Sequence, residues 1–229
     1  MSTVSYIAFQ ASDKLRDDTE LLIKNGQDRS KESQINQLTL VMSQFISEML
    51  DQFFLNTCEA VQISPMGTKI VKTGANTLSS TSNMLVKQLF KKRANEELYP
   101  IIEHFDKTFI RATEASNGCA SVACPIDDSL YGKFMEEIQQ IRDGNHQRAE
   151  ALTQLLLEVT DVSVAGYAEV PIHMLKMNFV TKKVANTGIE ASRSAVKMII
   201  NKVFKTLEED QMARLADYLE GLFITAPQR

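Results

Sequence analysis

The fold is decided by a stretch that occurs twice, as KIVKTGANTLSSTSNMLVKQLFK at residues 69–91 and as KVANTGIEASRSAVKMIINKVFK at residues 183–205. The two copies align without gaps at an offset of 114 positions (183 − 69). A fixed spacing held over such a length indicates an internal repeat, so we predict a tandem duplication. The identical pairs, two of which lie further along the chain, are Lys69/Lys183, Thr73/Thr187, Gly74/Gly188, Ser80/Ser194, Met84/Met198, Phe90/Phe204, Lys91/Lys205, Phe109/Phe223 and Ile110/Ile224.

Apolar residues at helical spacing mark the longest predicted element of each half. They recur from Ile35 to Val61, and at seven of these positions, from Leu38/Leu152 to Val61/Leu175, the residue 114 positions later is also apolar. Only nine glycines, five prolines and no tryptophan occur among the 229 residues, which favours long helices over a sandwich of strands. The expected helices span 4–24, 31–62, 66–93 and 96–112 in the first half, and 128–142, 146–177, 180–206 and 209–224 in the second.

These elements predict an all-α fold, a helical bundle of about eight helices built from two four-helix units with pseudo-two-fold symmetry. The first repeat is assigned to 1–114 and the second to 127–229. Between them, 115–126 is small, polar and without helical periodicity, so we interpret it as a linker. The pattern leaves open whether the two units share one bundle or form two domains.

The composition is that of a folded protein in water, with 44% hydrophobic and 24% charged residues and a net charge of −4. The first ten residues lack the basic and apolar regions of a signal peptide, and no apolar run is long enough to span a bilayer. Three cysteines are an odd number for a disulfide framework, and Cys58 occupies an apolar helical position. We therefore expect a reduced, cytoplasmic protein.

Positive charge is concentrated in the third helix of each half. Residues 65–93 carry six basic and no acidic side chains, and 179–206 carry six basic and one acidic. Such helices could attract an anionic partner; alternatively, their lysines complement the neighbouring acidic helices and form a solvated face. The candidates for contact with an anionic partner are Lys87, Lys91, Lys92, Lys197, Lys202 and Lys205.

The sequence contains no recognisable catalytic, nucleotide-binding or metal-binding motif. None of His104, His146 and His173 belongs to a Glu-x-x-His pattern, and we interpret His173 as a core histidine. Cys119 and Cys124 lack CxxC spacing and are interpreted as two loop thiols. The alternatives are a local disulfide, or a zinc site completed by His104 or His146. We expect no enzyme activity, no metal site and no cofactor.

Gly74 and Gly188 occupy equivalent positions inside predicted helices. A glycine in a helix costs about 1 kcal/mol relative to alanine. Its recurrence suggests a close approach of helices, with Gly74 facing Gly188; a shared kink is the alternative. Pro171 replaces Thr57 of the first half and, with Gly166, predicts a kink in the second long helix only. A single functional pocket is expected near this asymmetry.

These features favour a non-enzymatic binding or structural protein that presents two basic helices to an anionic partner or surface. Nucleic acid is disfavoured, because no aromatic residues alternate with the lysines and the net charge is negative. Peripheral membrane contact and homo-oligomer formation stay open. The alternative function is a carrier or sensor of an apolar, lipid-like ligand, since ten methionines and eleven phenylalanines could line a cavity, although they could equally fill an ordinary core.

Overall fold

The computed structural model describes residues 3–111, 118–145 and 148–227. This part of the chain folds into eight helices and four strands. The predicted all-α bundle of about eight helices is confirmed, with the addition of one small sheet. His146 and the first part of the predicted linker lie outside the described residues.

The elements follow one another in the same order in both halves. Each half contains a strand, four helices and a final strand. The first half comprises β1 (Thr3–Gln10), α1 (Asp13–Gln27), α2 (35–61), α3 (Pro65–Phe90), α4 (Asn95–Thr108) and β2 (Phe109–Ile110). The second comprises β3 (Ser121–Ile126), α5 (Asp128–Arg142), α6 (149–173), α7 (Phe179–Val203), α8 (Glu209–Glu220) and β4 (Phe223–Pro227).

From α2 onward, equivalent helices start 114 residues apart, as the repeat predicts: α3 starts at Pro65 and α7 at Phe179. Local capping contributes to these starts. The side chain of Ser64 accepts a hydrogen bond from the Gly67 amide in α3, and that of Asn178 accepts one from the Thr181 amide in α7. A common evolutionary origin of the two halves stays a prediction.

The four strands form one antiparallel sheet in the order β2-β3-β1-β4. In the centre, Ala8 of β1 pairs with Ala123 of β3, and on the other side Ile7 pairs with Phe223 of β4. The first strand of one half therefore lies between two strands of the other half. The last strand of each half likewise pairs with the first strand of the other, so the halves are interlocked.

The four strands differ from the sequence-based prediction. That prediction had β1 in a helix at 4–24, β3 in the linker at 115–126, and β2 and β4 at the ends of the fourth helices. In β1 the five consecutive residues Ser5–Phe9 are buried, so neither face of the strand is polar. A strand buried on both faces lacks the apolar–polar alternation that distinguishes strands from helices, and a short apolar run then fits either.

Both long helices contain a π turn at the equivalent place. In α2 the α-helical segment Ile35–Leu50 continues through the π turn Asp51–Leu55 into Asn56–Val61. In α6, Ala149–Val164 continues through the π turn Ala165–Glu169 into Val170–His173. The prediction of a distortion only in the second long helix is thus wrong, because the first long helix is distorted without a proline. The final segment of α6, Val170–His173, is shorter than its equivalent Asn56–Val61 in α2 and has Pro171 in its first turn.

Buried residues from both halves form one continuous apolar cluster. Its middle is the packing of α3 against α7. Gly74 near the start of α3 lies against Ile199 near the end of α7, and Gly188 near the start of α7 lies against Leu85 near the end of α3. These contacts show that α3 and α7 run antiparallel, and the two halves share a single bundle.

Candidate functional site

A cavity of about 210 Å³ lies in the middle of the bundle, between α2, α3, α6 and α7. Ile7 of β1 and Leu219 of α8 complete its lining. Pro171 also lines this central cavity, next to the asymmetric end of α6. Five lining residues carry a hydroxyl group, and the other side chains of the lining are apolar. The five are Ser82, Thr160, Ser163, Tyr167 and Ser192.

The two halves form unequal walls of the central cavity. At six pairs of equivalent positions the first half contributes a large apolar side chain and the second half a smaller one, in three cases with a hydroxyl. Two pairs, Ser82/Val196 and Val86/Ile200, are reversed. Much of the free space therefore arises from small residues in α6 and α7. The six pairs are Phe45/Val159, Ile46/Thr160, Met49/Ser163, Leu50/Val164, Phe54/Ala168 and Leu78/Ser192.

The hydroxyl groups in the second-half wall are already used within their own helices. Thr160, Ser163 and Ser192 each donate to the backbone carbonyl four residues earlier, at 2.7, 2.7 and 2.9 Å. Such bonds leave the hydroxyl without a free donor hydrogen for a ligand. The wall is therefore suited to apolar contact rather than to hydrogen-bonded recognition.

Tyr167 joins the central cavity to the sheet. Its hydroxyl lies 2.9 Å from the Ile7 carbonyl oxygen and 3.2 Å from that of Val122, so it bridges β1 and β3. Burial raises the pKa of this phenol well above its usual range, which keeps the group neutral. The equivalent residue, Phe53, also lines the cavity and packs edge-on against Phe9 of β1.

The π turns that line the cavity are held by equivalent side chains from the opposite half. Tyr218 of α8 donates to the backbone carbonyl of Gln52 in the first π turn, at 2.7 Å. His104 of α4, the equivalent of Tyr218, is hydrogen-bonded to the backbone of Gly166 in the second π turn. A π turn leaves backbone carbonyls without the usual helical partner, and these side chains supply one.

Gly74 and Gly188 lie where α3 and α7 approach closely. A Cβ atom at Gly74 would come within 2.8 Å of Ile199 Cδ1, and one at Gly188 would overlap with the Leu85 side chain. Leu85 and Ile199 are themselves equivalent positions (199 − 85 = 114). Contrary to the sequence-based prediction, the two glycines do not face each other. Each glycine accommodates the large side chain at the equivalent position of the opposite helix.

The six lysines singled out in the sequence do not form one cluster. Because α3 and α7 are antiparallel, Lys87, Lys91 and Lys92 lie at one end of the helix pair, and Lys202 and Lys205 lie at the other. Lys87 and Lys202 are about 24 Å apart along the axis, given about 1.5 Å per residue. These five side chains are exposed, and none forms an ion pair with a residue that the structure describes.

Lys197 differs from the other five candidates. It is half-buried and pairs with Asp161 of α6 at 3.0 Å. Arg193, one turn earlier in α7, also reaches Asp161 at 3.1 Å and pairs with Glu169 at 2.7 Å. Lys197 therefore belongs to an ion-pair network between α6 and α7, which corresponds to the structural alternative considered for these lysines.

Two interpretations of single residues are revised. His173 is exposed at the end of α6 rather than buried in the core, because α6 ends there and exposes its last turn. Cys124 is a buried, free thiol in β3 rather than a loop residue, so no disulfide joins it to Cys119. Burial raises the pKa of the Cys124 thiol to about 12 and that of Cys58 to about 11.

No protein-family model matches this chain, and searches of curated proteins and of solved structures found no match either. In the described residues, no group of three or more His, Cys, Asp and Glu side chains is placed to hold a metal ion. Within the same ranges, every helix is too short or too polar to cross a bilayer.

Sequence reasoning pointed to the neighbourhood of the cavity through Pro171 but did not identify the wall that creates it. The signal was present in the repeat. Apolar-to-small changes at equivalent positions, such as Phe54 to Ala168 and Leu78 to Ser192, mark places where the second half has lost volume. These changes indicate a cavity only when both residues of a pair are known to face the same space.

Proposed function

We propose that this protein is a non-enzymatic carrier or sensor that holds an apolar ligand between its four longest helices. The observation that carries the proposal is the cavity of about 210 Å³ with an almost entirely apolar lining. An apolar cavity excludes water and favours an apolar occupant; a cavity of about 150 Å³ already accommodates benzene. The ligand class that fits is a small hydrocarbon-like molecule or a segment of an acyl chain.

Stability considerations support an occupant. A ligand in this space would supply the van der Waals contacts that the apolar lining lacks, and a ligand that binds only the folded state raises its stability. The first half shows that the same backbone positions can carry larger side chains, for example Leu78 where the second half has Ser192.

The test combines native mass spectrometry with thermal unfolding. We expect freshly purified protein to carry a non-covalent adduct of a few hundred daltons, or to gain thermal stability when long-chain lipids are added, because a ligand that binds only the folded state raises Tm. In Ser192→Leu, which introduces the residue of the equivalent first-half position, adduct and Tm shift should be lost. Ser194→Leu, an exposed change of the same kind on the same helix, is the control.

A parent protein without adduct and without a Tm shift across a lipid panel at saturating concentration would contradict this function. So would a Ser192→Leu variant that binds as well as the parent. In either case the central cavity would be a packing feature of the bundle.

A second candidate function is contact with an anionic partner through α3 and α7. It is favoured by the five exposed lysines at the ends of these helices, none of which forms an ion pair with a described residue. Reversal of Lys87, Lys91 and Lys92 to glutamate should weaken binding to an anionic partner and reduce its dependence on salt. Equal binding by parent and variant at low salt would exclude this candidate.

A further inference from the structure

Exposed apolar residues are concentrated at one end of the α3–α7 pair, where they accompany lysines. Phe179 and Val180, at the start of α7, are 82% and 69% exposed. Val184 of the same helix, and Val170 and Met174 at the end of α6, are also exposed. Large side chains with this exposure gain little from the folded core, so their position requires another explanation.

The chain geometry places the C-terminal end of α3 beside these residues. Gly188 packs against Leu85, and the helices are antiparallel, so the start of α7 and the end of α3 lie on the same side of this contact, about 14 Å and about 8 Å from it along the axis. Arg93 Nη1 donates to the Lys176 carbonyl oxygen at 2.6 Å, which ties the α3–α4 turn to the segment before Phe179. We call this region the Phe179 end. It comprises Lys87, Lys91, Lys92, Val170, Met174, Lys176, Phe179, Val180, Lys182, Lys183 and Val184.

The Phe179 end is positively charged throughout its sequence. Neither 60–95 nor 170–189 contains an aspartate or a glutamate. The six lysines of the Phe179 end are exposed, and none forms an ion pair with a described residue. Two acidic side chains next to this end form ion pairs: Glu97 with Arg93 at 2.7 Å, and Glu169, which precedes Val170, with Arg193 at 2.7 Å.

The opposite end of the same helix pair provides an internal comparison. There Met66, the equivalent of Val180, is also 69% exposed, but Pro65 takes the place of Phe179. The lysines at this Met66 end are Lys69, Lys72, Lys202 and Lys205. Pseudo-symmetry thus gives both ends basic residues, whereas a cluster of exposed apolar residues occurs at one.

We propose that the Phe179 end docks on the surface of an anionic phospholipid bilayer, with Phe179 and Val180 inserted at the level of the headgroups and the lysines around them facing acidic lipids. Apolar residues flanked by Lys are the combination that holds a protein in the bilayer interface. Each Lys near an anionic membrane strengthens binding about fivefold. A soluble anionic partner would use the lysines but leave Phe179 in water. This inference rests on the second candidate function and names its partner; it does not depend on the cavity being occupied.

Tryptophan substitution gives a direct test, because the chain contains no tryptophan and the introduced indole is then the sole source of tryptophan emission. Phe179→Trp is mixed with vesicles of phosphatidylcholine alone or of phosphatidylcholine with phosphatidylserine, and Met66→Trp is the matched control. For Phe179→Trp we expect a blue shift of the emission, and quenching by brominated acyl chains, only with the anionic vesicles. Met66→Trp should show neither effect.

Vesicle flotation then measures the energetic contribution of each residue type. Phe179→Ser with Val180→Ser, and separately Lys182→Glu with Lys183→Glu, should each lower binding to anionic vesicles at least about tenfold. Met66→Ser should remain within about twofold of the parent. Circular dichroism would verify that the exposed substitutions leave the fold unchanged.

Three outcomes would overturn the proposal. In the first, the emission of Phe179→Trp is unchanged by anionic vesicles, but the lysine variants bind a soluble polyanion such as heparin more weakly than the parent does. This result would retain the second candidate function and exclude the membrane as its partner. Equal effects in Met66→Trp and Phe179→Trp would exclude this end as the docking site. Loss of a concentration-dependent dimer in Phe179→Ser, without vesicles, would show that a second copy of the chain covers the patch.

Discussion

At the scale of single residues, the two π turns show how one structural requirement is met by different chemistry. Tyr218 donates its hydroxyl hydrogen to Gln52, and His104 is hydrogen-bonded to the backbone of the equivalent Gly166. Tyrosine stays neutral near neutral pH, whereas histidine changes its charge there. The second π turn is therefore fixed by a titratable group and the first is not.

This difference predicts a dependence of stability on pH. Burial lowers the pKa of His104, and the hydrogen bond to Gly166 offsets this only in part. The unfolded chain then binds more protons than the folded one as the pH falls through about 6.5, so stability decreases below that pH. In His104→Tyr, which introduces the residue of the equivalent position, the loss of Tm between about pH 7.5 and about pH 5.5 should be smaller than in the parent.

The exposed His173 offers a control for this measurement. His173→Tyr, the same substitution at an exposed position away from the packing of α4 on the second π turn, should keep the parent's pH dependence. An identical pH dependence of parent and His104→Tyr would contradict the role assigned to His104.

At the scale of elements, the α3–α7 pair depends on two glycines that admit the opposite helix. Sequence comparison identified Gly74 and Gly188 because both interrupt a helical pattern at the same place in the repeat. It could not identify their partners, since contact across the pair depends on helix direction. The antiparallel arrangement brings Leu85 to Gly188 and Ile199 to Gly74.

Gly188→Ala should lower the free energy of unfolding by about 1–2 kcal/mol. Overlap of the new methyl group with Leu85 costs about 1–3 kcal/mol, and the higher helix propensity of alanine returns up to about 1 kcal/mol. Chemical denaturation measures the difference. In Gly132→Ala of α5 the new Cβ would meet no packed side chain or neighbouring element of the described structure within 4 Å, so the change should instead raise stability by up to about 1 kcal/mol.

Coupling to Leu85 distinguishes this explanation from a general intolerance of α7 to substitution. In the Leu85→Ala background, Gly188→Ala should be less destabilising than in the parent, because the overlapping side chain has been removed. Additive effects of the two changes would argue against the contact.

At the scale of the whole molecule, the interlocked sheet decides how the halves depend on each other. The helices were predictable from the sequence because their periodicity is strong on a single face, as in α2. The sheet was not, because β1 and β3 are buried and their pairing joins residues such as Ile7 and Cys124, which are far apart in the chain. The central cavity escaped prediction for the same reason, since its walls come from both halves.

The interlocking predicts that neither half folds alone. A fragment covering 1–114 would retain β1 without its two neighbours β3 and β4, and α3 without α7. We expect each of the fragments 1–114 and 115–229 to unfold without cooperativity when followed by circular dichroism. An equimolar mixture should regain a cooperative transition. A cooperative transition for 1–114 by itself would show that the first half is an independent unit.

The palindromic strand order, with the final strands outside and the initial strands inside, is the order that two copies of a single half would adopt as a strand-exchanged homodimer. In such a homodimer both subunits must present the same side chain at every equivalent position. A large residue such as Phe54 would then stand on both sides of the central space, or a small one such as Ala168 on both sides. A single continuous chain is free of this constraint. It can keep one rigid, bulky wall and vary the other, so the shape of the space can be adjusted without loosening the packing of both halves.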